Sequence, residues 1–267
     1  MHATPTTPAA LRYFPRIHPL FVAATVAVTV ATAGVAGAAV WRQQSDARQA
    51  EIANWQLMAT SANDAAALSK LQRAAAAGEA SARAALGETL LSRPDTDSRS
   101  QAERWLRLAA DSGHARAKFL LGKAAMLGEL ASGKPDLPLA WRELDAAAKA
   151  GDIGAAYYLG LLYRGGYGRM PDAAAAAHWF NVAADGGVAQ AMFLLANAYR
   201  EGDGVQRDDA RAVSWYEAAA EREHPASIQA LAMAYRNGEL GLSQDDGNYR
   251  QHMAEAAHAL KHPAINP

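Results

Sequence analysis

Between Ala189 and His224 the apolar positions form two helical stripes separated by a turn. Ala189, Ala191, Leu195, Ala196 and Tyr199 recur at helical intervals, Gly202 and Gly204 form a Gly-x-Gly turn, and Val213, Trp215, Tyr216 and Ala219 form the second stripe. The Asp208-Asp209 pair stands where the second helix should begin, because a carboxylate there can accept the unsatisfied amides of the first turn. The predicted helix, turn and helix recur along the chain. Leu86, Leu121, Leu159, Leu195 and Leu231 hold the same place in successive units, at steps of 35, 38, 36 and 36 residues. Independently, Trp105, Trp141, Trp179 and Trp215 recur in the second helix at steps of 36, 38 and 36. Two landmarks holding one period mark a repeat architecture. One such hairpin cannot bury its own apolar face, so neighbours must stack into a quasi-one-dimensional solenoid. Alanines just ahead of the landmark leucine (Ala115 and Ala117, Ala189 and Ala191) let helix backbones approach closely, and the periodic tryptophan is expected to fill the space between hairpins.

The pattern A-x-A-x-x-x-L-G-x-x-Y-x-x-G, then D-x-x-x-A-x-x-W-F/Y-x-x-A-A-x-x-G, is clearest in residues 153–187 and 189–223. It resembles the Sel-one-like repeat, a relative of the tetratricopeptide repeat, over about residues 62–260. The resemblance implies an all-α fold, a right-handed α-solenoid of about five αα-hairpins. Leu90 stands where Tyr is usual and His252 where Trp would fall. Both are read as features of terminal units, which turn one face to water. In the tetratricopeptide fold the first helix of each hairpin lines a concave groove. Carried over residue by residue, this gives a central row of Phe119, Tyr157 and Phe193, beside it Lys123, Leu161, Asn197 and Met233, and then Arg164, Arg200 and Arg236. The three sets are spaced i, i+4 and i+7, so each helix presents them on one face. Aromatic anchors flanked by guanidinium forks suit a partner segment bearing carboxylates. The alternative is that the aromatics pack between repeats and each arginine caps the carbonyls at its helix end.

Ahead of the repeats, residues 1–19 form a tail with Arg12 and Arg16 and no acidic residue. Residues 20–41 contain an uncharged run from Leu20 to Val40, the length of one membrane crossing and longer than a signal-peptide core. It is expected to be a transmembrane helix or signal anchor. Ala36-Gly37-Ala38 resembles a signal-peptidase site, so cleavage to a secreted or periplasmic product is the alternative, and a soluble buried helix is a third. The acid-free tail points to tail-in, solenoid-out, which in a bacterium places the solenoid in the periplasm, although Arg42 and Arg48 balance Arg12 and Arg16. Residues 42–61 read as a helical stalk in which Trp55 packs against the solenoid, and residues 261–267 as a C-terminal tail. Within the repeats, residues 91–100 lack the Gly-x-Gly turn and residues 128–138 form a longer, proline-bearing loop.

Composition narrows the chemistry. A formal net charge of −1 without a basic run argues against a nucleic-acid partner, and the lack of cysteine removes disulfides, Cys-zinc sites and a thiol nucleophile. Asp111-Ser112-Gly113-His114 looks like a hydrolase fragment but coincides with helix-capping positions of the other repeats. Glu201, Asp203, Asp208 and Asp209 lack the alternating ligands of a calcium loop. Gly165-Gly166-Tyr167-Gly168 follows a helix and is a turn, not a phosphate cradle. Glu255, His258 and His262 share a helical face but read as a helix C-terminus, not a metal site. With no catalytic group, metal or cofactor expected, the reading is a membrane-anchored adaptor, scaffold or regulator at the bacterial cell envelope that binds a protein partner. The alternative is an enzyme or enzyme accessory acting on envelope polymer such as peptidoglycan.

Overall fold

Aspartates open most of the helices in the computed structural model, which describes residues 41–261. Asp64, Asp95, Asp136, Asp152, Asp172, Asp208 and Asp245 each accept backbone amides of the following turn through the side chain. Glycines in the left-handed conformation close the first helices of four hairpins, at Gly128, Gly166, Gly202 and Gly238. Between these signals run α1 (41–61), α2 (Ala65–Ala76), α3 (Ala80–Leu91), α4 (Thr96–Asp111), α5 (Ala115–Leu127) and α6 (Leu137–Lys149). They continue as α7 (Ile153–Gly165), α8 (Ala173–Asp185), α9 (Ala189–Glu201), α10 (Asp209–Ala220), α11 (Pro225–Asn237) and α12 (Asp246–Ala259). The described residues are all-α. From α2 to α12 each helix packs on its neighbours in sequence, and α3 with α5 and α5 with α7 also touch, as stacked hairpins require. The described repeats form an α-solenoid.

The chain divides into two units, 1–51 and 52–267. Residues 52–61 pack with the repeats, Trp55 among them as expected. Ile52 and Ala59 are buried in one cluster with Leu71, Leu86 and Leu90, and Trp55 packs against it. Gln56 Nε2 donates to Glu88 Oε2 at 2.9 Å, and Thr60 lies 3.4 Å from the Thr89 hydroxyl. The last part of α1 and α2 therefore make a further hairpin that covers the apolar side of α3. The 20–40 stretch lies outside the described residues. Among the described residues no helix is long and apolar enough to cross a membrane.

The tryptophan register differs from expectation. Trp105, Trp179 and Trp215 are only half-buried, whereas the residue after each, Leu106, Phe180 and Tyr216, is buried. The reason is the inward line of the helix. In α8 it runs through Ala176, Ala177, Phe180, Ala183 and Ala184, and Trp179 falls on its edge. The small residue after the landmark leucine makes room for this side chain. A Cβ added to Gly87 would lie 2.6 Å from Leu106 Cγ, and one on Gly160 would lie 2.6 Å from Phe180 Cδ1. In the second of these units the place after the tryptophan is the exposed Arg142, so Trp141 itself and Leu144 are buried instead. The Trp141 indole donates to the Tyr167 carbonyl at 2.8 Å, which satisfies its one polar group.

Candidate functional site

Small side chains carve a cavity of about 520 Å³ among α7 to α11. Ala173, Ala176 and Ala177 of α8 and Ala226, Ala230 and Ala234 of α11 face it from two sides, while Phe180, Phe193, Met233 and Leu240 provide larger apolar surface. The loop after α9 shapes one wall. Gly204 has φ +74, and a Cβ there would lie 2.1 Å from the Ala173 carbonyl oxygen, so only glycine allows this loop to rest on the start of α8. That contact sets the neighbouring Asp203 on the cavity rim. Arg164, Arg200, Glu201 and Glu239 complete the charged lining. Inside, the Tyr216 hydroxyl donates to Asn197 Oδ1. Burial pushes the Tyr216 phenol above its ordinary pKa, with the nearby Arg200 opposing the shift, so the phenol stays a neutral donor.

Five of the residues expected in a groove meet here: Arg164, Phe193, Asn197, Arg200 and Met233. The others do not. Phe119 is fully buried, resting on Gly154 and tilted against Tyr158 at a centroid separation of 5.8 Å. For Phe119 the structure has the packing alternative: the α5 aromatic sits in the core, capped by Arg116 and Lys123, whose charged groups lie 4.8 and 5.7 Å from the ring centroid. Tyr157 and Leu161 are half-buried against the core. Arg236 sits away from the cavity lining, over Tyr249 of α12 at 5.1 Å, with Nη1 3.3 Å from the hydroxyl. The α8 and α11 alanines and the acids Asp203 and Glu239 were missed by sequence reasoning. Alanine at helical spacing signals close packing, and nothing in the spacing distinguishes a filled contact from a void.

A Sel1 repeat family model matches residues 80–114, 153–188, 189–224 and 225–250. This chain belongs to the Sel1 repeat family. The hairpin between the first two matched segments is the one with the 38-residue step and the longer loop. Among solved structures, the chain is similar to c5321, a protective antigen of uropathogenic Escherichia coli strains displaying an SLR fold. Identity is 34% and the TM-score 0.66, over 72% of this chain and 41% of the antigen chain. It is also similar to a Sel1 repeat protein from Oxalobacter formigenes, at 27% identity and TM-score 0.61, over 71% of this chain and 75% of that one. The chain therefore spans less than half the length of the antigen. No curated protein sequence matches it.

Sel1-repeat proteins are generally protein-interaction scaffolds, and the polar groups that looked catalytic have capping roles in this one. Ser112 Oγ donates to the Ala109 carbonyl at 2.7 Å, and His114 Nδ1 accepts the Ala117 amide at 3.2 Å, so the Asp111–His114 fragment closes α4 and opens α5. Asp208 accepts the Arg211 amide at 2.9 Å. Among the described residues no cluster of three or more His, Asp or Glu could hold a metal ion. His262 lies outside them. The cavity can hold apolar groups against its alanine walls and meet charge at its rim.

Proposed function

We propose that this Sel1-repeat chain is a non-catalytic adaptor or scaffold at the bacterial cell envelope that holds a segment of a partner protein in the α7–α11 cavity. The observation that carries the reading is the cavity itself, built by three successive hairpins where Phe193, Asn197 and Met233 come together. Met233 keeps 38% of its surface exposed at that site, as an anchor awaiting a partner side chain does. The envelope location rests on the uncharged 20–40 run and on the bacterial sources of the similar Sel1-repeat structures.

The test is a photocrosslinking residue placed at Met233 in the full chain, expressed in its own host, with Ser214 of α10 as the control. Ser214 is exposed and does not line the cavity. Discrete protein adducts from Met233 and none from Ser214 are expected. Identical adducts from both positions, or none from Met233, would remove the reading. A reporter at the C-terminus should be active outside the cytoplasm, and a cytoplasmic signal would overturn the orientation alone.

A further inference from the structure

The three arginines that suggested a carboxylate-bearing partner are not equally available. Arg200 forms a salt bridge with Glu201, and that bond raises its pKa so that it stays charged. Arg236 is stacked on Tyr249, away from the cavity. Arg164 is left, its guanidinium 5.8 Å from the Phe180 ring centroid and in no ion pair with a described residue. The acids are freer. Asp203 has no side-chain hydrogen bond or ion pair with a described residue, and Glu239 accepts the neutral Asn237 amide at 3.0 Å and acts on Arg200 only through space, without an ion pair. Nearby cations are committed elsewhere: Arg207 to Asp209 at 3.0 Å, and Arg211 to Asp208 at 3.4 Å and the Tyr199 hydroxyl at 3.2 Å. The cavity lining carries two arginines (Arg164, Arg200) and three carboxylates (Glu201, Asp203, Glu239), a formal balance of −1. Subtracting the Arg200–Glu201 pair leaves one cation facing two anions.

Resting on the reading above, we infer that the cavity takes an apolar side chain from a partner protein segment whose flanking residues are basic. The apolar side chain fills the space between the α8 and α11 alanines and covers Phe193 and Met233. A lysine or arginine on the segment meets Asp203 and Glu239, and Arg164 is left for a backbone carbonyl or a single acid. A segment rich in carboxylates would place like charges beside those two acids with Arg164 alone to compensate, and would be rejected.

The experiment uses the purified full-length chain and three fluorescent, end-blocked peptides with a common central phenylalanine, flanked by lysines, glutamines or glutamates. Fluorescence anisotropy at low salt should rank them lysine, glutamine, glutamate. The extremes should differ roughly tenfold in Kd, as two rim charge contacts allow, and the gap should close as salt is added. Asp203→Asn with Glu239→Gln should erase the lysine preference while keeping the affinity for the glutamine peptide. Both sites are exposed, so the fold should survive, which circular dichroism checks. Met233→Trp, which plugs the cavity, should weaken all three peptides. Tightest binding of the glutamate peptide, a lysine preference that survives the double variant, or no binding of the lysine peptide overturns the inference and leaves the Met233 crosslinking result standing. Peptide binding unaffected by Met233→Trp overturns the cavity as the binding place altogether. Concentration-dependent self-association abolished by Met233→Trp would make a second copy the occupant and overturn the inference as well.

Discussion

Two histidines do at α5 and α11 what aspartates do at most other helix starts. His114 Nδ1 accepts the Ala117 amide, and His224 Nδ1 accepts the Ser227 amide at 3.3 Å while lying beside the Ser227 hydroxyl at 3.0 Å. Acceptance requires an unprotonated Nδ1, and protonation would also place a positive charge at the positive end of a helix dipole. Burial lowers the pKa of both rings. The folded chain thus takes up the proton at lower pH than the unfolded chain, whose histidines titrate near ~6.5. The stabilisation is complete above that value and is lost as pH falls through the depressed folded values. Each lost cap should cost about 1 kcal/mol. Thermal unfolding followed from pH 7.5 to 5 should therefore show a decline that is flatter in His114→Asp/His224→Asp, where carboxylates cap these helices as Asp152 caps α7. Parallel declines in the two proteins would assign the pH dependence to other groups.

Within the hairpin the decisive contact is between the residue after the landmark leucine and the second helix. Phe180 is buried against Gly160 and Tyr157, the Tyr157 ring centroid being 6.4 Å away, whereas Trp179 stays half-buried beside His178. Phe180→Ala should cost about 3–5 kcal/mol in chemical denaturation, and Trp179→Ala clearly less despite the larger side chain. Gly160→Ala should cost about 1–3 kcal/mol, because its methyl would drive into the Phe180 ring. Combined with Phe180→Leu, which frees that space, the Gly160→Ala penalty should shrink, since the two sites touch. Equal losses from Phe180→Ala and Trp179→Ala would return the buried register to the tryptophan.

Nearest-neighbour stacking decides how damage spreads along the whole repeat array. A chain starting at residue 52 retains Ile52, Ala59 and the Gln56–Glu88 bond, whereas one starting at residue 62 uncovers Leu71, Leu86 and Leu90. The second should lose amide protection in α2 and α3 by hydrogen exchange while α7 to α11 keep theirs, and its first thermal transition should fall relative to the first chain. Uniform loss of protection through α12 would mean that the array unfolds as one block. The cavity lies hairpins away from that end, so peptide binding should survive the shorter chain to the extent that α7 to α11 do.

Periodicity of leucine, tryptophan and glycine was enough to settle the helices, the hairpins and the family, because each is a local statement: Asp208 caps its own helix and Gly202 ends its own. The same residues could not say which side chain the packing would enclose. Trp179 and Phe180 are adjacent and both aromatic, and a small rotation of α8 decides between them. Phe119 and Phe193 hold equivalent places, yet one is sealed beneath Tyr158 and the other lines a cavity: Gly154 receives the Phe119 ring, whereas the corresponding place in the hairpin after Phe193 is Ala226, which lines the cavity. Charge was legible only as types: Arg164, Arg200 and Arg236 share one register, but their partners Phe180, Glu201 and Tyr249 come from a neighbouring helix, the next residue and the following hairpin arm. Local free energies of capping and helix formation are written in short stretches of chain. The void among α7 to α11 and the unequal availability of its charges arise from how five helices approach one another, which depends on many weak contacts at once.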